Sequence, residues 1–516
     1  MNPHGAKKFD FEHLFTFEMA NNHQGSLAHG KRIISEMAEI AKEFNLKASV
    51  KLQLRDLKTF VHPAYRDRKD IKHIPRFVGT ELSREAIKEL VEETKRQGLI
   101  TMATPFDESS VDFLNELGVE IVKVASCSVC DWPLLEKIAE TGKPIIVSVG
   151  GLDVKDIDKV VSFFEHRGTQ FAIMHCVAIY PTPPSKLFLK QIEILKNRYP
   201  HLVVGFSTHE APDDMSAVAL AYAKGARIFE KHVGVPSDTI TLNSYSANPA
   251  QVRAWVRSYQ NAISACGGDA SQREIGDAEE SDLRSLMRCV FARVDVKKGE
   301  ELTREKVFFA MPLISDDHLK SGQFRSGLVA DRDYKVGEPI NRLILPSGVR
   351  KKDIISGTVH AVKGMLHNAR IPLSHEFSVE ISHHSGLERF NEVGCVIIDC
   401  FNREYAKKLI IQLPGQWHPI HYHKGKDETF QVLSGSMEVE VDGRKRVMYP
   451  GETLWIPRGV WHGFSTETGV IFEEVSTTAH DSNGDSYYID KDISRLPREA
   501  RKTKLMNWGR HQFDRE

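Results

Sequence analysis

The chain has 516 residues, with 69 Lys plus Arg against 70 Asp plus Glu and a formal net charge of −1. That balance supplies no global basic field for nucleic acid or an anionic membrane, so no nucleic-acid or membrane partner is expected and any anion must be held in a local pocket. No apolar run approaches the ~20 residues needed to span a bilayer. A chain this long exceeds the size at which one core keeps growing, and about three domains are expected. Seven irregularly spaced cysteines, and the lack of a basic-then-apolar pattern in the first 30 residues, read as a cytoplasmic protein with reduced thiols.

Eight apolar runs, each followed by a stretch of helical spacing, occupy the first 265 residues: His13–Ala20, Ala48–Leu54, Leu99–Phe106, Ile121–Ser126, Pro144–Gly151, Phe171–Val177, Val203–His209 and Ile228–Val233. Strand then amphipathic helix, eight times over, predicts an α/β fold of the (β/α)8 TIM-barrel type, whose chemistry gathers at the C-terminal strand ends. The polar residues fall there. Glu18 ends the first strand. Lys51 and Gln53 alternate onto one face of the second. Lys123 and Ser126 end the fourth, Ser148 the fifth and Ser207 the seventh. Each serine alone reads as a helix cap, but ammonium groups converging with hydroxyls and helix N-termini suit a phosphate. His209 and His232 end adjacent strands, with Glu18 or Glu230 nearby, and form an open site for a divalent metal.

Cys266–Asp282 is Gly-, Ser- and acid-rich and reads as a linker. Leu286–Leu345 then alternates short apolar runs with turns, as a small β domain would, and a second polar break follows at Pro346–Asp353. The expected domains are a barrel over 1–275, a small β domain over 283–346, a strand-rich domain over 354–495 and a charged tail over 496–516, read as a surface helix or disordered. In the third domain, Gly415-x5-His421-x-His423-x4-Glu428-x6-Gly435 is followed by Gly451-x5-Pro457-x-Gly459-x2-His462. These spacings match both cupin motifs, with Thr466 in place of the terminal Asn. His421, His423, Glu428 and His462 make a His3Glu set suited to Mn, Fe, Ni or Zn, although a cupin barrel can also persist without metal.

Residues 12–265 resemble the sialic acid (nonulosonic acid) synthase family in Glu18–Ser26, Lys51-Leu52-Gln53, Thr104-Pro105-Phe106-Asp107, Val122–Ser126, Pro133–Pro144, Ile146–Gly150, His175–Pro184, Gly205–His209 and Glu230-Lys231-His232. The resemblance implies condensation of phosphoenolpyruvate with an open-chain amino sugar. It places Lys51, Thr104, Lys123, Ser126, Ser148 and Ser207 on phosphoenolpyruvate, and a divalent metal (Mn, Mg or Co) on His209 and His232. Glu18, Gln53 and Tyr180 fall on the sugar side. Glu18 is the candidate for moving a proton of the attacking water, and Lys51, Lys123 and Glu230 complete the catalytic set.

Residues 286–345 resemble the antifreeze-like or SAF domain of that family, which implies a homodimer in which this domain covers the partner's active site. Three departures touch the sugar side. Met311 stands where an arginine is expected, Thr239–Ala247 replaces a Gly-Pro-Asp segment, and Ser207-Thr208-His209 replaces Ser-Asp-His. An unusual acceptor is therefore expected.

Glu473–Ser476 followed by His480-Asp481-Ser482-Asn483 resembles the close of sugar-isomerase cupins, with Glu474 as proton carrier; the competing reading is a sugar-sensing module. Two broader alternatives are another phosphoenolpyruvate aldol synthase of the 3-deoxy-ulosonic acid type and a non-catalytic scaffold. Cys127-x2-Cys130 lacks a second half for a zinc site. His383-His384 reads as solvated surface, and Gly150-Gly151 as a point of close backbone approach.

Overall fold

Eight parallel strands follow one another in chain order and close into a barrel: β1 (Leu14–Glu18), β2 (Lys47–Leu54), β3 (Ile100–Pro105), β4 (Ile121–Val124), β5 (Ile145–Ser148), β6 (Phe171–Cys176), β7 (Val204–Thr208) and β8 (Ile228–His232). The eight apolar runs thus form the eight staves. The structure, a computed structural model, describes residues 8–268, 273–343, 347–375, 377–477 and 485–508. Two compact units make up the chain, Met1–Arg273 and Glu274–Glu516.

Strand parity sorts the barrel's side chains into two environments. Phe15, Phe17, Val50, Leu52, Val122 and Phe229 belong to the core shared with the surrounding helices. The alternate residues form a separate interior cluster that includes Leu14, Met102, Ile121, Ile146, Met174 and Ile228. Each such side chain contributes about 1.5–3 kcal/mol on burial. Gly205 makes that interior possible, because a Cβ there would lie 2.7 Å from Ile228 Cβ and 2.9 Å from Met174 Cγ. Two residues further along the same parity, the interior turns polar: Thr16 and Glu18 on β1, Ser49 and Lys51 on β2, Lys123 on β4 and Glu230 on β8 are all buried. An apolar floor thus carries a charged mouth.

The second unit holds separate cores. One gathers Val290, Val296, Leu302, Leu319, Leu328 and Ile340 around the antiparallel pair β9 (Cys289–Ala292) and β10 (Val307–Ala310). Two more fill an all-β barrel of two sheets. Its strands are β11 (Ser378–Ser382), β12 (Cys395–Asn402), β13 (Tyr405–Gln412), β14 (Trp417–His423), β15 (Glu428–Gly435), β16 (Met437–Val441), β17 (Arg444–Met448), β18 (Thr453–Ile456), β19 (His462–Ser465), β20 (Val470–Thr477), β21 (Ser486–Tyr488) and β22 (Lys502–Met506). The sheet orders are β18-β15-β20-β13-β12-β11-β22 and β17-β16-β19-β14-β21. This is a cupin barrel.

Four readings of the sequence need correction. The expected linker ends in a helix, Asp277–Ser285, whose first turn carries Asp277, Glu279 and Glu280 where the helix dipole favours negative charge. The polar break at Pro346–Asp353 gives way to a helix over Ser347–Asn368, because Ile355, Val362 and Leu366 recur at helical spacing and pack on the cupin core. The charged tail is not separate, since Lys502–Met506 pairs antiparallel with β11 and Leu505 and Trp508 pack on the same core. His383 and His384 are 6% and 1% exposed, not solvated.

Candidate functional site

The barrel mouth is a network of four buried charges. Glu230 is bidentate: Oε1 lies 2.7 Å from Lys51 Nζ, and Oε2 lies 2.9 Å from Lys123 Nζ. Lys51 also reaches Glu18 Oε2 at 2.6 Å. Strand register brings these groups together, since Glu18 stands opposite both Lys51 and His232, and Ser207 stands opposite Glu230. Burial would push the Glu230 carboxyl up, but the two ammoniums outweigh it and hold the group below its usual range. Burial pulls Lys123 down and Glu230 only partly offsets this, whereas Glu18 and Glu230 together overcome burial at Lys51 and raise it.

Hydroxyl groups surround the charges. Ser207 Oγ donates to Glu230 Oε1 at 3.0 Å, and Ser126 Oγ accepts from the Gly150 N–H at 3.2 Å. Gly150 is required there, as a Cβ would sit 2.7 Å from Ser126 Oγ. Ser148 is buried at the end of β5. Thr104 Oγ1 is buried without a hydrogen-bond partner among the described residues. A buried hydroxyl so placed costs free energy unless a polar ligand meets it.

His209 and His232 lie side by side, with ring centroids 5.3 Å apart. The Val177 carbonyl accepts from His209 Nδ1 at 2.8 Å, which leaves the Nε2 lone pair free. Burial lowers His209 to about 4 and His232 well below its ordinary value, so both rings are neutral at pH 7 and fit a divalent ion. Tyr180 is half exposed and packs its ring, tilted by 53°, with its centroid 4.2 Å from that of His209. Gln53 Nε2 reaches Glu18 Oε2 at 3.5 Å.

Two further residues at the mouth are not singled out by sequence reasoning. Tyr245 belongs to the departing segment Thr239–Ala247 and packs 5.1 Å from His232 and 5.2 Å from Tyr180. Arg55 follows Lys51 and Gln53 at the same two-residue spacing, the one signal that could have found it. Its guanidinium lies 3.7 Å from the Phe106 ring centroid and 4.2 Å from that of Phe77, and it donates to Gln53 Oε1 at 2.8 Å.

The cupin brings all four motif residues together. His421 and His423 share one face of β14, Glu428 begins β15 and His462 begins β19. Each imidazole Nδ1 lies near a backbone carbonyl: Pro419 O at 3.0 Å, Asp485 O at 2.9 Å and Val460 O at 3.1 Å respectively. Those carbonyls fix the proton on Nδ1 and leave three Nε2 lone pairs. Ligand atoms of the three histidines lie within 4.8 Å of one another. Glu428 faces His423 Nε2 at 3.3 Å and His462 Nε2 at 3.1 Å, so lone pairs meet a carboxylate with no proton between them. Glu428 Oε2 and His462 Nε2 are accordingly without a hydrogen bond among the described residues. The chemistry of this donor set fits a divalent cation.

Around it lie groups that the motifs do not announce. Lys426, 6% exposed, donates to Glu428 and reaches Glu474 Oε1 at 3.1 Å. His384 Nε2 lies 3.0 Å from His418 Nε2, and burial lowers His384 to about 3. His480-Asp481-Ser482-Asn483 lies outside the described residues. Cys127 and Cys130 are exposed free thiols.

Fold and site together define a (β/α)8 barrel whose mouth gathers two lysines, two carboxylates and a histidine pair, followed in the chain by a cupin that brings its four motif residues together. The chain belongs to the NeuB family, whose model matches residues 37–271, and a cupin domain model matches residues 409–473. An uncharacterized protein of Methanocaldococcus jannaschii is 30% identical over 294 residues, which cover 56% of this chain and 82% of that protein. The N,N'-diacetyllegionaminic acid synthase of Campylobacter jejuni is 26% identical over 340 residues, covering 63% of this chain and 98% of the relative. Among solved structures, a Chromobacterium violaceum protein assigned to spore coat polysaccharide biosynthesis as protein E is 44% identical, with a TM-score of 0.61, covering 64% of this chain and 98% of that one. Among the described residues no helix is long and apolar enough to cross a membrane.

Proposed function

We propose that the barrel condenses phosphoenolpyruvate with an open-chain sugar and releases phosphate, giving a nonulosonic or related 3-deoxy-2-keto acid. The observation that carries this reading is the pairing of two buried lysines, bridged by Glu230, with a neutral imidazole pair on the adjoining strands. The family adds support, since the Campylobacter jejuni relatives include an N,N'-diacetyllegionaminic acid synthase and a pseudaminic acid synthase.

In this reading Lys51 and Lys123 neutralise phosphate and carboxylate oxygens, and Thr104, Ser126, Ser148 and Ser207 donate to them. A divalent ion held by His209 and His232 would supply Lewis-acid polarisation of the aldehyde oxygen. The enol carbon forms the new C–C bond, and water adds to the resulting oxocarbenium before phosphate departs. Glu18, which accepts from the Ala20 N–H at 2.8 Å and faces Lys51, is positioned to take a proton of that water. Gln53, Tyr180 and Arg55 form the acceptor side. Met311, 54% exposed, is an uncharged residue at the position read as an arginine, which favours an acceptor other than the N-acetyl sugar.

Residues 283–346 are read as the SAF domain of a cytoplasmic homodimer, and the cupin as a metal-dependent module acting on a sugar. The test is phosphate release from phosphoenolpyruvate with Mn2+ and a panel of aldoses, N-acylated and not. Release should need both phosphoenolpyruvate and one acceptor class, and should vanish in His232→Ala with the fold retained. No release with any aldose, or full activity in His232→Ala at micromolar metal, sinks the reading.

A further inference from the structure

The cupin cavity is lined by three lysines, Lys408, Lys426 and Lys502. Lys426 and Lys408 converge on one carboxylate oxygen, Glu474 Oε1, at 3.1 and 3.5 Å. Lys426 also claims Glu428, and Lys502 pairs with Glu380, which is not itself part of the lining. The remaining carboxylate among the described residues of the lining, Asp485, is engaged by the backbone N–H groups of Lys424 and Gly425 at 2.9 and 2.7 Å. Among the described residues of the lining three ammoniums face three carboxylates, Glu428, Glu474 and Asp485, and Lys502 has Glu380 behind it as a further partner.

A divalent ion on the motif residues adds two positive charges to this wall. The imidazoles bring no charge, and an ion on Glu428 competes with the Lys426 ammonium for the same oxygens. Lys408 and Lys426 are then left to share Glu474. Phe430, Phe464 and Ile410 form part of the same wall, and beside such apolar surface an uncompensated charge is costly. A neutral sugar does not offset it. A ligand that carries its own negative charge does, at close range and in a low-dielectric pocket.

We propose that the cupin cavity binds a small anionic sugar, one carrying a carboxylate or a phosphate, with the anionic group received by Lys408 and Lys426 beside the metal site. This rests on the metal-dependent reading of the cupin and names its ligand class. The anionic group meets the two ammoniums that share Glu474, while neighbouring hydroxyls face the metal side of the cavity.

The full chain, loaded with Mn2+, is titrated calorimetrically with D-glucuronate, D-glucose 6-phosphate and D-glucose, and bound metal per chain is counted by mass spectrometry. At least one anion should bind about tenfold tighter than glucose. The preference should disappear in the His421→Ala/His423→Ala double variant, whose barrel is untouched. It should fall below about threefold in Lys408→Met/Lys426→Met with metal content kept. Lys408→Met alone, which touches no motif residue, carries the test if the double lysine variant loses metal. Which anion binds tells carboxylate from phosphate. Equal affinity for glucose, no binding of either anion, or a preference that survives lysine replacement overturns the proposal. Metal content that the double histidine variant does not lower overturns the metal reading beneath it, a failure visible before any sugar is added.

Discussion

Glu230 holds the barrel mouth together because each of its oxygens neutralises a different buried ammonium. Replacing it with Gln leaves Lys51 with Glu18 but removes the one carboxylate that Lys123 meets among the described residues, and burial already pulls Lys123 down. Glu230→Gln should cost about 3–5 kcal/mol of unfolding free energy, the usual result of breaking a buried ion pair from one side; an unchanged urea midpoint would show the charges to be hydrated. Lys123→Ala should weaken phosphoenolpyruvate binding by about 2–4 kcal/mol, read as a rise in Kd. At this scale the strand-end residues were legible in the sequence, because period-two parity puts Glu18, Lys51, Gln53, Lys123, Glu230 and His232 inside the barrel without reference to anything distant. Lys426, Tyr245 and His384 were not legible. Each owes its role to a partner far along the chain or in a segment with no period, and a buried lysine or histidine reads as surface until its partner is known.

Element boundaries follow the same division between local and distant causes. The cupin spacing predicts β14, β15 and β19 with their ligands, since a two-residue alternation and a Gly turn are local devices. The pairing of β22 with β11 joins residues more than a hundred positions apart, and a five-residue charged segment carries no sign of it. Gly435, the motif glycine closing β15, shows why the spacing is strict. Its φ is +79°, and a Cβ there would lie 2.1 Å from Gly469 O, whose neighbour Val470 pairs with Gly435 in β20. Gly435→Ala should therefore cost about 3 kcal/mol or more, combining a left-handed backbone with a backbone clash that cannot relax without breaking the ladder. Calorimetry should show the cupin transition falling while phosphate release by the barrel persists. A cupin transition at its original temperature would contradict the contact.

Across the whole molecule, acid should act first through histidine, in both units. Burial holds His209 at about 4 in the first unit and His384 at about 3 in the second, with His232, His418 and His421 well below the ordinary histidine value. The unfolded chain takes up these protons near pH 6.5, whereas the folded chain refuses them until about pH 4 or lower. Protons therefore favour unfolding throughout that window, and stability is lost as pH falls from about 6.5 to about 4. A depression of His209 to about 4 is worth about 3 kcal/mol once the window is crossed, and domain stabilities of about 5–15 kcal/mol leave room for few such losses. Glu230 and Glu428 have depressed values of the opposite charge type, so their contribution is present above the ordinary carboxylate pKa and is lost only at still lower pH. Metal bound to neutral imidazoles competes with the same protons. Between pH 7 and pH 5 the unfolding temperature should drop for both calorimetric transitions, and further with EDTA than with Mn2+ present. A transition temperature that stays level down to pH 5 in EDTA would mean that the histidines of that unit reach water and are not held neutral by burial.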